Sequence, residues 1–369
     1  MMKLGSLFSG IGGFEMGLSK ALTFKTAFLC DNDKANISLL SKRFDDIPVY
    51  DDVKNINKQT VDMDIDILCG GFPCQNISIA NTKTRDGLAG AKSGLWFEMV
   101  RIIEEYRPAI VVVENVPNIR SVCLNEVLIT LHNINYSVEW VTISAEQLGA
   151  PHLRRRWFAV AYPNHDKELD YYFERNIEMK EYWNEEASVS EMIPTNDIDI
   201  KYRNKQRTRV EQLGNAIVPA CSELIGHCIK DSFLISGNRS VFPSKAKINA
   251  RIKDNRIISD QLNLWNTDNE YSEVLPQNGK MLNGVLYESN AISYTLERKY
   301  TKSYFTPCKA DGKRLSHCDS TMTFDTLLMD MLRKLGTTDE DRIKYKYMVN
   351  PNFVEYMMNF PHDWTKNEA

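Results

Sequence analysis

The residues Ala109-Ile110-Val111-Val112-Val113 form an almost continuous apolar run between Pro108 and Glu114. Such a run is short for a helix and has no polar face. It suits a strand buried on both sides, and strands of that kind belong to parallel sheets covered by helices on each face. The rest of the first half fits the same plan. Lys3 to Phe8 reads as a strand feeding the turn Ser9-Gly10-Ile11-Gly12-Gly13, followed by a helix from Phe14 to Leu22. Further strands are expected at Lys25 to Cys30, Asp64 to Cys69, Glu139 to Ile143 and Trp157 to Ala161. Leu95 to Tyr106 reads as a helix, with Trp96, Met99, Val100 and Ile103 at helical spacing. Strands alternating with helices predict an α/β fold with a doubly wound, mostly parallel sheet.

Sheets of this class place ligands outside the carboxyl ends of their strands. Residues at those ends are therefore the candidates for chemistry. The first is the glycine turn, whose missing side chains let a nucleotide-like ligand approach the backbone. Its G-x-G-G spacing is not the G-x-G-x-x-G of dinucleotide enzymes, which argues against a nicotinamide oxidoreductase. Asp31 ends the second strand about twenty residues on, where a ribose-binding carboxylate belongs. Asp52-Val53 follows a third short strand at the same edge. Both aspartates could equally be turn formers or helix caps. The fourth strand end carries Gly70-Gly71-Phe72-Pro73-Cys74-Gln75-Asn76-Ile77-Ser78, a sharp turn presenting a thiol. Asn81 to Gly94 reads as a loop beside that thiol, with Lys83, Arg85 and Lys92 available for phosphates. Glu114 closes the apolar strand, and burial there predicts a raised pKa. Arg154-Arg155-Arg156 precedes the strand at Trp157; it is either a solvated basic face or a clamp for a phosphate or a base carbonyl.

These motifs together resemble the DNA (cytosine-5) methyltransferase family. Phe8-Ser9-Gly10-Ile11-Gly12-Gly13 is similar to its cofactor turn, Pro73-Cys74-Gln75 to its nucleophile motif and Glu114-Asn115-Val116 to its acid motif. Arg154 and Arg156 match its paired arginines, and Arg209 to Pro219 resembles its closing motifs. The resemblance covers roughly residues 1 to 230 in the family's usual order. It implies S-adenosylmethionine as cofactor and carbon 5 of a flipped-out cytosine in duplex DNA as substrate. It implies Cys74, Glu114, Arg154 and Arg156 as catalytic residues. Phe8, Gly10, Ile11, Gly13, Asp31, Asn32, Asp52, Val53, Gly71, Pro73, Leu95, Asn215 and Ile217 are the implied cofactor contacts. Gln75, Ser78, Lys83, Arg85 and Arg209 are expected at the DNA.

Three positions depart from the family pattern. Asp31 stands where many relatives carry Glu, Asn32 where a bulky residue packs on adenine, and His152 where Gln is frequent. The larger departure is layout. The stretch His165 to Asn204, where a recognition domain often lies, is short and acidic. Residues 236–369 carry 19 Lys and Arg against 17 Asp and Glu, which leaves residues 1–235 at −6 of the chain's net −4. One basic run spans Arg239 to Arg256; a second, Arg298 to Arg314, is interleaved with Tyr300, Tyr304 and Phe305 and includes Lys309, Lys313 and Arg314. That pattern suits phosphate contacts and base readout. The expected division is a catalytic domain over 1–235 and a smaller C-terminal α+β DNA-recognition domain over 236–369, as in phage-type relatives. Asn350 to Trp364 resembles a helix that usually precedes the Asn-Ala-Ile segment, and is expected to pack back on the catalytic domain.

The eight cysteines are irregularly spaced, which suits reduced thiols in a cytoplasmic protein. No membrane span, signal peptide or metal is expected; Cys308, His317 and Cys318 make an incomplete zinc set. The expected partner is duplex DNA, acted on by a monomer, with a cognate restriction endonuclease working independently. A catalytically dead DNA-binding relative and an RNA-modifying relative are the alternatives.

Overall fold

The computed structural model describes residues 1–73, 94–164, 173, 176–179, 182–183, 200–234, 247–259, 269–270, 275–289, 293–295, 304, 306–308, 331 and 349–366. Cys74, Gln75, Ser78, Lys83, Arg85, Lys309, Lys313 and Arg314 lie outside them. So does most of the acidic stretch before Asn204.

The first half alternates as expected. Strand β1 (Met2–Leu7) leads through the glycine turn to helix α1 (Gly13–Ala21), then β2 (Phe24–Cys30), α2 (Lys34–Arg43) and the short β3 (Val49–Tyr50). Then come β4 (Ile67–Gly70), α3 (Gly94–Tyr106), β5 (Ile110–Asn115), α4 (Ile119–Val122) and α5 (Leu124–Asn133). A long hairpin of β6 (Tyr136–Ser144) and β7 (Arg155–Pro163) follows, then β8 (Asn176–Glu178), α6 (Ile200–Asn215) and α7 (Pro219–Leu234). The remainder supplies β9 (Lys247–Lys253), β10 (Arg256–Ser259), β11 (Asn269–Glu270), β12 (Gly279–Leu282), β13 (Val285–Glu288), β14 (Ser293–Thr295) and α8 (Pro351–Met357).

Twelve strands form one sheet in the order β11-β10-β9-β13-β12-β6-β7-β5-β4-β1-β2-β3. The pairings among β1 to β5 are all parallel, with β1 and β4 as neighbours where the winding reverses. That reversal opens the crevice in which doubly wound sheets bind ligands. From β5 outward every pairing is antiparallel. The apolar run in β5 is therefore parallel to β4 on one side and antiparallel to β7 on the other. Its uniform hydrophobicity reflects burial of both faces: Ile110 and Val112 join one core cluster, Val111 and Val113 the other.

Strands β9 to β13 continue this sheet, whereas β14 pairs in parallel with β8 in a separate two-stranded sheet. β12 pairs with β6, placing Lys280 opposite Glu139, so the expected boundary near residue 236 does not coincide with a break in the sheet. Helix α8 packs on α6. Among the described residues, no helix is long and apolar enough to cross a membrane.

Candidate active site

The site is assembled at the carboxyl ends of β1, β2, β4 and β5. The turn after β1 is built from left-handed backbone: Phe8 has φ 55°, Gly10 57° and Gly12 88°. For Phe8 such a conformation costs about 1–3 kcal/mol and is held only by its surroundings. The Ser9 amide donates to the Cys30 carbonyl (2.9 Å), and the Cys30 amide donates back to Ser9 Oγ (3.1 Å). At Gly10 a Cβ would meet nothing within 4 Å, so the turn faces open space. At Gly13 a Cβ would lie 2.5 Å from the Ile217 carbonyl oxygen, which explains the glycine and places Ile217 against the turn. Ile11 itself is buried in the core.

Asp31 stands beside the turn. Its Oδ2 accepts from the Gly10 amide (2.8 Å), and its Oδ1 from the Asp33 amide (2.9 Å) and Asn36 Nδ2 (3.1 Å). Burial raises its pKa, opposed by these hydrogen bonds. Asn36 accepts in turn from Gln212 Nε2 at 3.1 Å, which ties Asp31 to α6. Asn36 did not stand out in the sequence, and Gln212 did so only as part of the Arg209 to Pro219 motif. Asn32 is exposed next to Asp31. Asp52 caps the following 3-10 turn through the Lys54 amide (2.9 Å), the plainer of its two expected roles. Val53 is buried in the core and Leu95 packs against it from α3. Asn215 is exposed at the end of α6, and Pro73 is half-buried at the last described position before the thiol.

Glu114 and Arg156 form the second half of the site. Side chains alternate along a strand, so Glu114 shares a face with Val112, and Arg156 shares one with Phe158, which lies opposite Glu114. The same alternation leaves Arg155 exposed on the other face. Arg156 Nε meets Glu114 Oε1 at 3.1 Å. Burial pushes the Glu114 carboxyl above its usual range, opposed first by Arg156 and then by Arg154. A Cβ on Gly71 would lie 2.7 Å from Glu114 Oε2, so this position has to be glycine for the carboxylate to sit where it does. Asn115 is buried behind it, its Oδ1 accepting from the Val116 amide (2.7 Å) and its Nδ2 directed at the Phe72 carbonyl (3.4 Å). The strand end that carries Glu114 thus also steadies the chain leading to Cys74.

Arg154, expected among the catalytic residues, is occupied inside the protein. It is buried, and its guanidinium donates to the carbonyls of Pro307 (2.9 Å), Gly214 (3.1 Å) and Ala216 (2.5 Å). It clamps the Asn215–Ile217 segment to β7 and so acts on position. Arg209, expected at the DNA, is likewise occupied inside the protein. It donates to Thr365 Oγ1 (2.9 Å) and to the fully buried Glu355 (3.0 Å), and pairs with Asp363 at 3.6 Å. His152 is buried against the Met357 carbonyl (2.8 Å), and burial drives its pKa down to about 3, so it is neutral.

Residues 2–302 match the profile of the C-5 cytosine-specific DNA methylases. The chain belongs to this family. It is similar to the type II methyltransferase M.CviJI of Paramecium bursaria Chlorella virus IL3A, with 38% identity over 42% of this chain and 41% of that protein. M1.ScrFI of Lactococcus lactis subsp. cremoris is 34% identical over 43% of this chain and 41% of its own length. The matched region thus spans about two fifths of those relatives. Among solved structures, S. pombe Dnmt2 methyltransferase aligns with 19% identity and a TM-score of 0.40, over 46% of this chain and 53% of that one. No group of three or more metal-ligating side chains occurs among the described residues.

Proposed function

We propose that this protein transfers a methyl group from S-adenosylmethionine to carbon 5 of cytosine in DNA, with Cys74 as nucleophile. The observation that carries the reading is the half-buried Glu114–Arg156 pair at the end of β5, facing the crevice that also holds the glycine turn. The described residues fit the cofactor. The turn opens on free space at Gly10, and Asp31 offers a carboxylate beside it for ribose hydroxyls. Gly71, Ile217 and Asn215 complete the proposed cradle. The cofactor, when bound, supplies an electrophilic methyl.

The protein's own groups prepare the base. The protonated Glu114 carboxyl donates to cytosine N3, and Arg156 holds both that carboxyl and the base oxygen. The ring becomes electron-poor, and the Cys74 thiolate adds to carbon 6. The displaced electron pair makes carbon 5 the nucleophile that takes the methyl. Loss of the carbon 5 proton to a base and departure of Cys74 restore the aromatic ring. Carbons 5 and 6 are stacked inside a duplex, so the base is extruded first. Gln75, Ser78, Lys83 and Arg85 are assigned to DNA beside the thiol.

Residues 236 to 345 are proposed to read the target sequence, with Lys309, Lys313 and Arg314 on phosphates. The basic, aromatic-laced runs and the acidic stretch before Asn204 support this. A monomer acting in the cytoplasm, alone or beside an independent endonuclease, completes the reading. Bisulfite sequencing of DNA from cells expressing wild type or Cys74→Ser tests it. Methylcytosine at one recurring sequence, absent with the variant, is expected. Methyl transfer to tRNA with none to duplex DNA would favour the RNA alternative.

A further inference from the structure

The sequence resemblance of Asn350 to Trp364 concerns a helix, but the residues just past that helix reach the glycine turn. Trp364 Nε1 donates to the carbonyl of Ile11 at 2.9 Å, between the two left-handed glycines. The indole is held from three sides. Phe44 meets it edge-on at 6.1 Å and Phe360 packs at 6.0 Å. Arg43 lies over the ring at 5.1 Å, donates to the Trp364 carbonyl at 2.8 Å and also donates to the Asp363 carbonyl. Phe44 in turn presses on Gly12, where a Cβ would lie 2.6 Å from its ring. One residue further, Thr365 donates its amide to Glu355 Oε1 (2.7 Å), the acceptor shared with Arg209.

We infer that Trp364 is a positioning residue for the glycine turn, its indole N–H fixing the Ile11 carbonyl and with it the backbone that receives the cofactor. Ordinary packing accounts for the ring contacts but does not require an N–H aimed at this carbonyl. A turn with positive φ at the alternate positions Phe8, Gly10 and Gly12 has little local reason to keep one shape. A hydrogen bond from a segment more than 350 residues away supplies one. The inference rests on the proposed role of the turn as cofactor site.

Trp364→Phe keeps an aromatic ring against Phe44 and Phe360 and removes the donor. Amide exchange across residues 9–13 of the cofactor-free protein should speed up about 3- to 10-fold, the worth of one neutral hydrogen bond. Exchange in β4 and β5 should not change. Titration calorimetry with S-adenosylhomocysteine should show affinity weakened by a similar factor, while kcat at saturating S-adenosylmethionine stays within about twofold. Unchanged exchange and affinity would overturn the inference, and so would a uniform loss of stability, affinity and kcat together. Should Trp364→Phe fail to fold, Arg43→Lys loosens the same segment from half-exposed α2 and is read the same way. Faster exchange at the turn in a protein whose wild type binds no cofactor would uphold the brace and refute the cofactor reading.

Discussion

Glu15 sits in the first turn of α1, directly behind the glycine turn, and is only 3% exposed. Burial pushes its carboxyl from 4.5 up to about 7, assisted by the negative charge of nearby Asp31. The folded protein therefore keeps this proton at pH values where the unfolded chain has released it. Stability is fully present below about pH 4.5 and is lost as pH rises towards 7. A gap of roughly 2.5 pH units at 1.36 kcal/mol each comes to about 3 kcal/mol. Glu15→Gln removes the titration and keeps the shape. Relative to wild type, the variant should gain up to about 3 kcal/mol between pH 4.5 and 8, whatever constant offset the amide introduces. Urea unfolding of both proteins across that range measures it. A difference that does not vary with pH, or that moves the other way, would refute the placement of a protonated carboxyl behind the turn.

Three further outcomes follow from the site. Glu114→Gln cannot deliver a proton to N3, and turnover should fall on the order of 10²-fold or more, with DNA affinity little changed in a binding assay. Gly71→Ala drives a methyl into Glu114 Oε2, so kcat/KM should drop; unchanged kinetics would mean that the carboxylate has another position. Arg209→Met strands the buried Glu355, which should cost about 3–5 kcal/mol in urea unfolding and leave the salt dependence of DNA binding as it was. A reduced salt slope at unchanged stability would instead put Arg209 on a phosphate.

Much of the parallel half was legible because its signals are local. Each strand is a short apolar run, and each ends on a residue whose type is set by the crevice: Gly10, Asp31, Gly71 and Glu114. The antiparallel half was less so. β9 to β13 are short and basic or mixed, and the pairing of β12 with β6, which joins them to the sheet, depends on register between distant segments. The arginines show the same limit. Sequence alone could group Arg154, Arg156 and Arg209 as cations near a polyanion, but three-dimensional packing turns Arg154 and Arg209 towards carbonyls and carboxylates of the protein itself. Asn36 was missed, and Gln212 and Trp364 received no individual role, because the bonds Gln212–Asn36 and Trp364–Ile11 join segments far apart along the chain. Glu15 was missed because its burial depends on how α1 is rotated against the sheet and α7.

A covalent step at Cys74 can be trapped. In 5-fluorocytosine the fluorine cannot leave as a proton does, so elimination of the thiol is blocked. Wild-type protein incubated with S-adenosylmethionine and duplex DNA substituted with 5-fluorocytosine should form an adduct that survives denaturation, with Cys74 as the linked residue by peptide mass spectrometry. Cys74→Ser should form none. Methylation of ordinary DNA without any such adduct, or an adduct on a different residue, would contradict the account.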